Sequence, residues 1–341
     1  MKLILIVFMI FIYDFNYYQT SNDIKEIITY GTYAPNSHNA QMWSVKIIGS
    51  NRIKVFPNYN RVLPFVDPNN RETWISLGAF VENCILSAQD LAYNTTVTVN
   101  KNEIIIDLTK DTQKTPTTKN IDIIQKRLTV RTPFLNEKID ETTINKITNI
   151  SENIFYFPKE TLQGEKIIEN SIKAYSLQME DTSKLKELSK WMSFSYREER
   201  KRKDGLTPRM LGMSGVKHFF FNAFMFKKSV TGNTFIKGSI KEAKEQLNSC
   251  SGFIIITTES FKVSELVQAG RDLVSVWLKC IENTIAVHPM SQVLEEIEYN
   301  KILKKELNIK GEIQMVLRIG KVKNYPELKK RRIDVNNLIK E

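Results

Sequence analysis

The chain has 341 residues, 42% of them hydrophobic, with only 13 glycines and 10 prolines; this supports a packed core of one large domain or two ordinary ones and excludes a disordered or fibrous chain. Lys and Arg total 49 against 38 Asp and Glu, a net charge of +11 that suits an anionic ligand. The Lys, Ile and Asn richness is a general bias, so the excess alone is weak ground for nucleic acid.

The chain opens on MKLILIVFMIFIYDF, where Leu3 to Tyr13 form an uncharged apolar run behind Lys2. The run is shorter than the ~20 residues that span a bilayer. It has signal-peptide length but no A-x-A-like cleavage site, twin arginine or early Cys. It reads equally as an export or membrane signal and as a segment packed on the body. Residues 1–22 are therefore set apart from the fold, with a cytoplasmic location favoured.

Asp23 and Glu26 form a capping pair for a first helix whose Ile24, Ile27, Ile28 and Gly31 share one face. APNSHNAQMW, residues 34–43, is a turn of small and amide residues. WSVKII and RIKVF then read as strands around Gly49-Ser50-Asn51. DPNNRE caps a long helix through about Tyr93, with Trp74, Leu77, Val81, Cys84, Ile85 and Ala88 on its apolar face. TVTV and EIIIDL are a further strand pair turning at Asn100-Lys101-Asn102. Residues 109–119, polar and Thr-rich, read as a linker between a first half at 23–108 and a second at 120–341.

In the second half a short helix ends in QKRLTVRTPF, a weaker helical stretch lies near 139–150, IFYF is a strand, and helices cross 160–198. SCSGFIIITT is a buried strand. The helix ELVQAGRDLVSVWLKCIENTIAV, the segment HPMSQ, another helix and the strand EIQMVLRIG complete the order. Helices and strands mixed with hairpins predict an α+β layered fold with a mixed, mainly antiparallel sheet. Cys84, Cys250 and Cys280 are odd in number, sit in apolar runs and lack metal-ligand spacing, so buried thiols are expected and no disulfide framework.

Arg127, Thr129 and Arg131 are spaced two apart, so an extended segment directs all three side chains to one side. Two planar guanidinium forks and a hydroxyl suit a phosphate. A solvated basic strand has the same spacing, and Lys329, Lys330, Arg331 and Arg332 read by default as a solvated tail. In the turn, Asn36, Ser37, Asn39 and Gln41 can hydrogen-bond a flat heterocycle, with Pro35 and Trp43 stiffening and anchoring it; such residues also populate turns for local reasons. His38, His218 and His288 lack ligand spacing, which argues against a metal site. No G-x-G-x-x-G after a strand, Walker loop, G-x-S-x-G elbow or H-E-x-x-H is present.

The helix-APNSHNAQMW-strand unit resembles the A-P-S-x-x-N-x-Q-P-W turn of the nitroreductase family, and IQKRLTVRTPF resembles that family's R-x-S/T-x-R segment followed by Phe. Here the turn precedes the arginine segment, an order similar to the Acg-type branch, in which one chain is like a fused and diverged nitroreductase dimer. QAGRDLVSVWLKCIENTIAVHPMSQVLE and IQMVLRIGK extend the resemblance over most of residues 23–335. Met42 for the usual proline, Leu128 for the second basic residue, and the absence of a first-half R-x-S/T-x-R copy depart from the pattern.

The resemblance implies two nitroreductase-like halves around one FMN, with Arg127 and Thr129 on the phosphate assisted by Arg331 or Arg332. Arg131 would lie toward the ribityl chain and the N1/C2 carbonyl edge; Pro35, Asn36, Ser37 and Asn39 would approach the ring from the other half, and the backbone of Ser291 and Gln292 would lie near N5 and the C4 carbonyl. It implies a monomeric FMN-dependent oxidoreductase taking hydride from NAD(P)H through FMN N5 to a nitroaromatic, quinone or similar small-molecule acceptor, with no catalytic side chain and no nucleic acid. It also allows, as the alternative, a store for FMN lidded by residues 194–226, a long segment broken by Gly205, Pro208, Gly212 and Gly215 that reads as readily as an ordinary connector between helices.

Overall fold

A computed structural model describes residues 22–213, 215, 218, 219, 221, 225–327 and 331–340. The apolar run at Leu3 to Tyr13 and the pair Lys329 and Lys330 lie outside the described residues. Two four-stranded antiparallel sheets form the frame. The first contains β1 (Trp43–Ile48), β2 (Arg52–Pro57), β3 (Tyr93–Val99) and β4 (Ile104–Lys110) in the order β1-β2-β4-β3. The second contains β5 (Ile154–Pro158), β6 (Gly252–Thr258), β7 (Ile285–Pro289) and β8 (Glu312–Lys321) in the order β5-β6-β8-β7. Each sheet thus places its strands in the sequence first, second, fourth, third.

Helices fill the space between and around the sheets. Among the described residues they include α1 (22–31), α2 (Arg71–Asp90), α3 (Lys119–Lys126), α4 (Glu141–Thr148), α5 (Leu162–Gln178), α6 (Thr182–Lys190), α7 (Tyr196–Arg202), α8 (Asn233–Asn248), α9 (Val263–Glu282), α10 (Gln292–Glu295), α11 (Ile297–Glu306) and α12 (Val335–Leu338). The pair α2 and α9 makes the central contact. Each has 20 residues, follows its sheet's second strand and leads into its third. Their crossing is reciprocal and very close: a Cβ on Gly78 would meet the Val267 carbonyl oxygen at 2.1 Å, and one on Gly270 would meet that of Ile75 at 2.0 Å. Only a residue without a Cβ lets the backbones approach this far.

One apolar cluster runs through this pair into both sheets, from Trp43, Val45, Phe80 and Ile106 to Ile254, Trp277, Val287 and Leu317. The Trp43 and Phe80 ring centroids lie 5.0 Å apart. Each large side chain so buried contributes ~1.5–3 kcal/mol. The sequence linker does not divide this core: β4 continues to Lys110, α3 starts at Lys119, and Thr117 N–H donates to the Asp90 carbonyl at 2.7 Å between them. The last described residues return to the first sheet, where Ile339 bridges Val45 and Lys340 N–H donates to the Val45 carbonyl at 2.7 Å. All three cysteines are free and buried.

Several expectations need correction. Asp23 lies inside α1, and its carboxylate accepts from Tyr93 Oη at 2.8 Å and Lys110 Nζ at 3.1 Å. The start of α2 is held from within DPNNRE, as expected, by Asp67, which accepts from Glu72 N at 3.0 Å and Thr73 N at 2.9 Å. That helix stops at Asp90, not Tyr93, because Ala92 turns to φ 61° and Tyr93 joins β3. Likewise α9 stops at Glu282, Thr284 turns to φ 57°, and the residues read as its continuation to Val287 form β7, hydrogen-bonded to β8. The expectation on location is also corrected: among the described residues no helix is long and apolar enough to cross a membrane.

Candidate functional site

The turn after α1 bends through three non-glycine residues with positive φ, His38 at 53°, Asn39 at 52° and Gln41 at 55°. Asn tolerates this region, whereas His and Gln occupy it only when the surroundings hold them. The amide side chains do the holding. Asn36 Nδ2 donates to the Ala34 carbonyl at 3.2 Å, and its Oδ1 accepts from Gln41 N at 2.8 Å. Gln41 Nε2 donates to the Lys203 carbonyl at 3.0 Å, while its Oε1 accepts from Ile333 N at 2.9 Å. Asn39 Nδ2 donates to the Gly205 carbonyl at 3.1 Å, and its Oδ1 accepts from Arg332 at 2.8 Å. The turn therefore fastens residues 203–205 and 331–333 to the first half. Ser37 Oγ donates to Glu72, which Arg71 holds from its other oxygen at 2.8 Å.

The arginine segment is not a solvated strand. Arg127 is 4% exposed, its Nη2 donates to the Tyr33 carbonyl at 2.8 Å, and its guanidinium lies 4.8 Å over the Trp277 ring. Its Nε is buried with no partner. Arg131 Nη1 donates to the Met210 carbonyl at 2.7 Å. Nor is Arg332 part of a solvated tail, since it donates to the carbonyls of Thr32 and Ala34 as well as to Asn39. Arg331 Nε is paired with Glu199 at 2.8 Å. Burial pushes Arg127 and Arg131 down to about 10, and burial together with the neighbouring Arg127 pushes Arg332 down to about 9. All three stay protonated at neutral pH.

These four arginines line one recess of about 80 Å³ with Pro35, Asn36, Asn39 and Thr129. No carboxylate lines it among the described residues. Arg127, buried there with no acidic partner among the described residues, is costly to leave uncompensated, so the recess can take an anion. Pro35, Asn36, His38, Thr129, Arg131 and Leu206 also line a larger cavity of about 270 Å³, so the two spaces adjoin. The larger cavity adds Ser37, Ser291 and Gln292, with an apolar lining from Met192, Met213, Trp277 and Met315 among others. HPMSQ is the end of β7 followed by the first turn of α10, not the end of the long helix.

The structure thus brings Arg127, Thr129, Arg131, Arg331, Arg332, Pro35, Asn36, Ser37, Asn39, Ser291 and Gln292 around two adjoining spaces. Asn39 reaches only the small recess. Residues that sequence reasoning passed over also face the cavity: His38, His288, Glu72 and Glu295. His38 Nδ1 is buried without a partner, and burial lowers its pKa to about 4. Burial, reinforced by nearby Glu72, raises Glu295 well above the usual carboxylate range, while Gln178 donates to it at 2.5 Å. A lone histidine and acids on amphipathic helices carry no spacing signal that would have marked them.

No protein-family model and no curated protein matches the chain. Among solved structures, it is similar to a nitroreductase-like family protein from Bacillus cereus, at 13% identity and a TM-score of 0.36, over 66% of this chain and 96% of that one. The FMN-dependent nitroreductase NfnB from Mycobacterium smegmatis in complex with NADPH aligns at 11% identity and a TM-score of 0.35, over 61% and 93%. The FMN and NADPH-dependent nitroreductase NfnB from sphigopyxis sp. strain HMH aligns at 13% identity and a TM-score of 0.39, over 65% and 97%. The functional reading stands on the geometry of the site itself.

Proposed function

We propose that this chain binds one FMN and acts as an NAD(P)H-dependent oxidoreductase of nitroreductase type. The observation that carries the reading is the carboxylate-free arginine recess opening into a larger, mainly apolar cavity, which fits a molecule with a phosphate at one end and a flat ring at the other. The unpartnered Arg127 Nε and the hydroxyl of Thr129 supply donors that nothing else in the recess uses as a phosphate would. Arg332 adds charge, while Arg331 is already engaged by Glu199 and contributes less.

When bound, FMN supplies the two-electron redox chemistry, with NAD(P)H as donor and a nitroaromatic, quinone or similar small molecule as acceptor. The chain's own residues bind and orient. Arg127 and Thr129 hold the anionic end, Arg131 places a cation where the two spaces meet, and Ser37, Ser291 and Gln292 form the polar edge of the larger cavity. The N–H groups of Ser291 and Gln292 open a helical turn and have no intrahelical partner. The matching strand orders and the reciprocal α2–α9 crossing support the further reading of two diverged halves in one chain. Reconstitution of the purified chain with FMN, followed by NADH or NADPH oxidation with nitrofurazone or menadione, tests the function. Turnover no faster than that of free FMN removes it.

A second reading, an FMN store with little turnover, is favoured by one feature. Residues 192–213 contribute Met192, Leu206, Leu211 and Met213 to the cavity wall and are held to the first sheet's side by Asn39, Gln41 and the Arg61–Asp204 ion pair. Slow bleaching of bound FMN by dithionite identifies the store, and rapid bleaching the enzyme.

A further inference from the structure

Arg318 is 0% exposed and sits on β8 with every guanidinium nitrogen committed. Nη1 donates to the Gln246 carbonyl at 2.6 Å and the Ser249 carbonyl at 3.2 Å, and Nη2 donates to the Thr132 carbonyl at 2.9 Å and the Val130 carbonyl at 3.4 Å. The face of the group lies 3.9 Å from the Phe134 ring centroid. The remaining donor, Nε, points at His288 Nδ1 at 3.1 Å on the adjacent strand. So fixed a guanidinium cannot turn away.

Arginine only donates, so the His288 nitrogen facing it must carry a lone pair. In the neutral ring the proton is then on Nε2. Burial and the charges of Arg318 and Arg131 hold the ring well below the usual histidine range, in the same sense as the geometry. The other charged residues lining the cavity are Glu72, Lys184, Glu242 and Glu295. His288 lines the larger cavity, and among the described residues its Nε2 has no protein partner. Val130 N–H donates to the Val287 carbonyl at 3.1 Å, which sets His288 between the arginine segment and the Ser291 edge.

We infer that Arg318 locks His288 in its Nε2–H form and thereby makes it a permanently neutral hydrogen-bond donor to an acceptor atom of the cavity's ligand. The proposal deepens the FMN reading, from which it takes the identity of the ligand as a heterocycle with carbonyl and ring-nitrogen acceptors. A neutral donor recognises such an atom without adding charge to a wall that already carries Arg131. Arg318 is the positioning residue and His288 the binding one.

Long-range proton–nitrogen NMR of the chain labelled at its three histidines reads the tautomer directly, with His288→Gln assigning the signals. The expected result is a neutral Nε2–H ring from pH 5.5 to 8 in the chain without FMN. On saturation with FMN, Nε2 moves and Nδ1 does not. FMN affinity should fall ~10-fold or more in His288→Phe, which cannot donate, and stay within ~3-fold in His288→Gln, which can. An Nδ1–H or doubly protonated ring, or an Nε2 signal unmoved by bound FMN, overturns the inference. If the wild-type chain binds no FMN at all, the function reading fails, while the tautomer still decides the lock: Nε2–H upholds it and Nδ1–H overturns it.

Discussion

In the first sheet, β1 joins β2 and β3 joins β4 through tight turns, and α2 is the single long excursion between them. In the second, the same positions are separated by α5 to α8 between β5 and β6 and by α10 and α11 between β7 and β8. The frame is shared; the insertions are not. The segment between β5 and β6 carries an apolar cluster of its own, built on Met179, Leu185, Met192, Phe194 and Leu206, and it contributes to the cavity wall. The shorter half supplies the strained turn, and the longer half supplies the arginines. The candidate site thus lies where the connections are long, while the α2–α9 crossing between the two sheets is fixed by close backbone contact.

The largest expected effect strikes that crossing. Gly78→Ala and Gly270→Ala each drive a Cβ into a carbonyl of the opposite helix, and each should lower unfolding stability by ~3 kcal/mol or more in urea titration. Equal losses sharpen the equivalence of the two helices; a neutral result at either glycine breaks it. Next, Arg127→Met keeps an aliphatic stem on Trp277 but removes the buried charge, and FMN affinity measured by fluorescence quenching should weaken ~10- to 100-fold with the fold intact. An unchanged affinity would move the anion site elsewhere.

A pH experiment addresses the turn. Burial holds the native His38 near 4, below the ~6.5 of an unfolded chain, so the unfolded state takes up a proton first as pH falls. Stability owed to the neutral ring is complete above pH ~6.5 and is lost on the way down to ~4. Between pH 7 and 4 the wild type should lose ~2 kcal/mol more than His38→Asn, a replacement that also suits the positive φ. Parallel thermal midpoints for the two proteins across this range would mean that the ring titrates freely. The smallest effect is a gain: Gly238 in α8 has open space where its Cβ would be, and Gly238→Ala should stabilise by ~0.5–1 kcal/mol.

Much of the frame was legible because its signals are local. The hairpin at Gly49, whose φ is 60°, the all-buried β6 and the apolar face of α2 follow from turn chemistry and periodicity. The two errors of extent are the same error made twice. Both long helices stop on non-glycine left-handed residues, Ala92 and Thr284, where neither Gly nor Pro announces an end. At the site, the residue types and spacings marked Arg127, Thr129 and Arg131. The reading of Arg332 as solvent-facing failed because a charge run does not reveal that three carbonyls and an asparagine some 290 positions earlier wait for it. His288 was invisible for a similar reason: its meaning comes from Arg318 on the neighbouring strand, thirty residues away.

Gln41 Oε1 holds Ile333 N–H, and Asn39 holds Arg332. A nascent chain released only as far as β8 already contains every strand of both sheets, but the wall of the small recess is still missing its last guanidiniums. On the proposed FMN reading, loading follows synthesis of the closing segment, and a fragment ending near residue 326 should fold yet be isolated colourless.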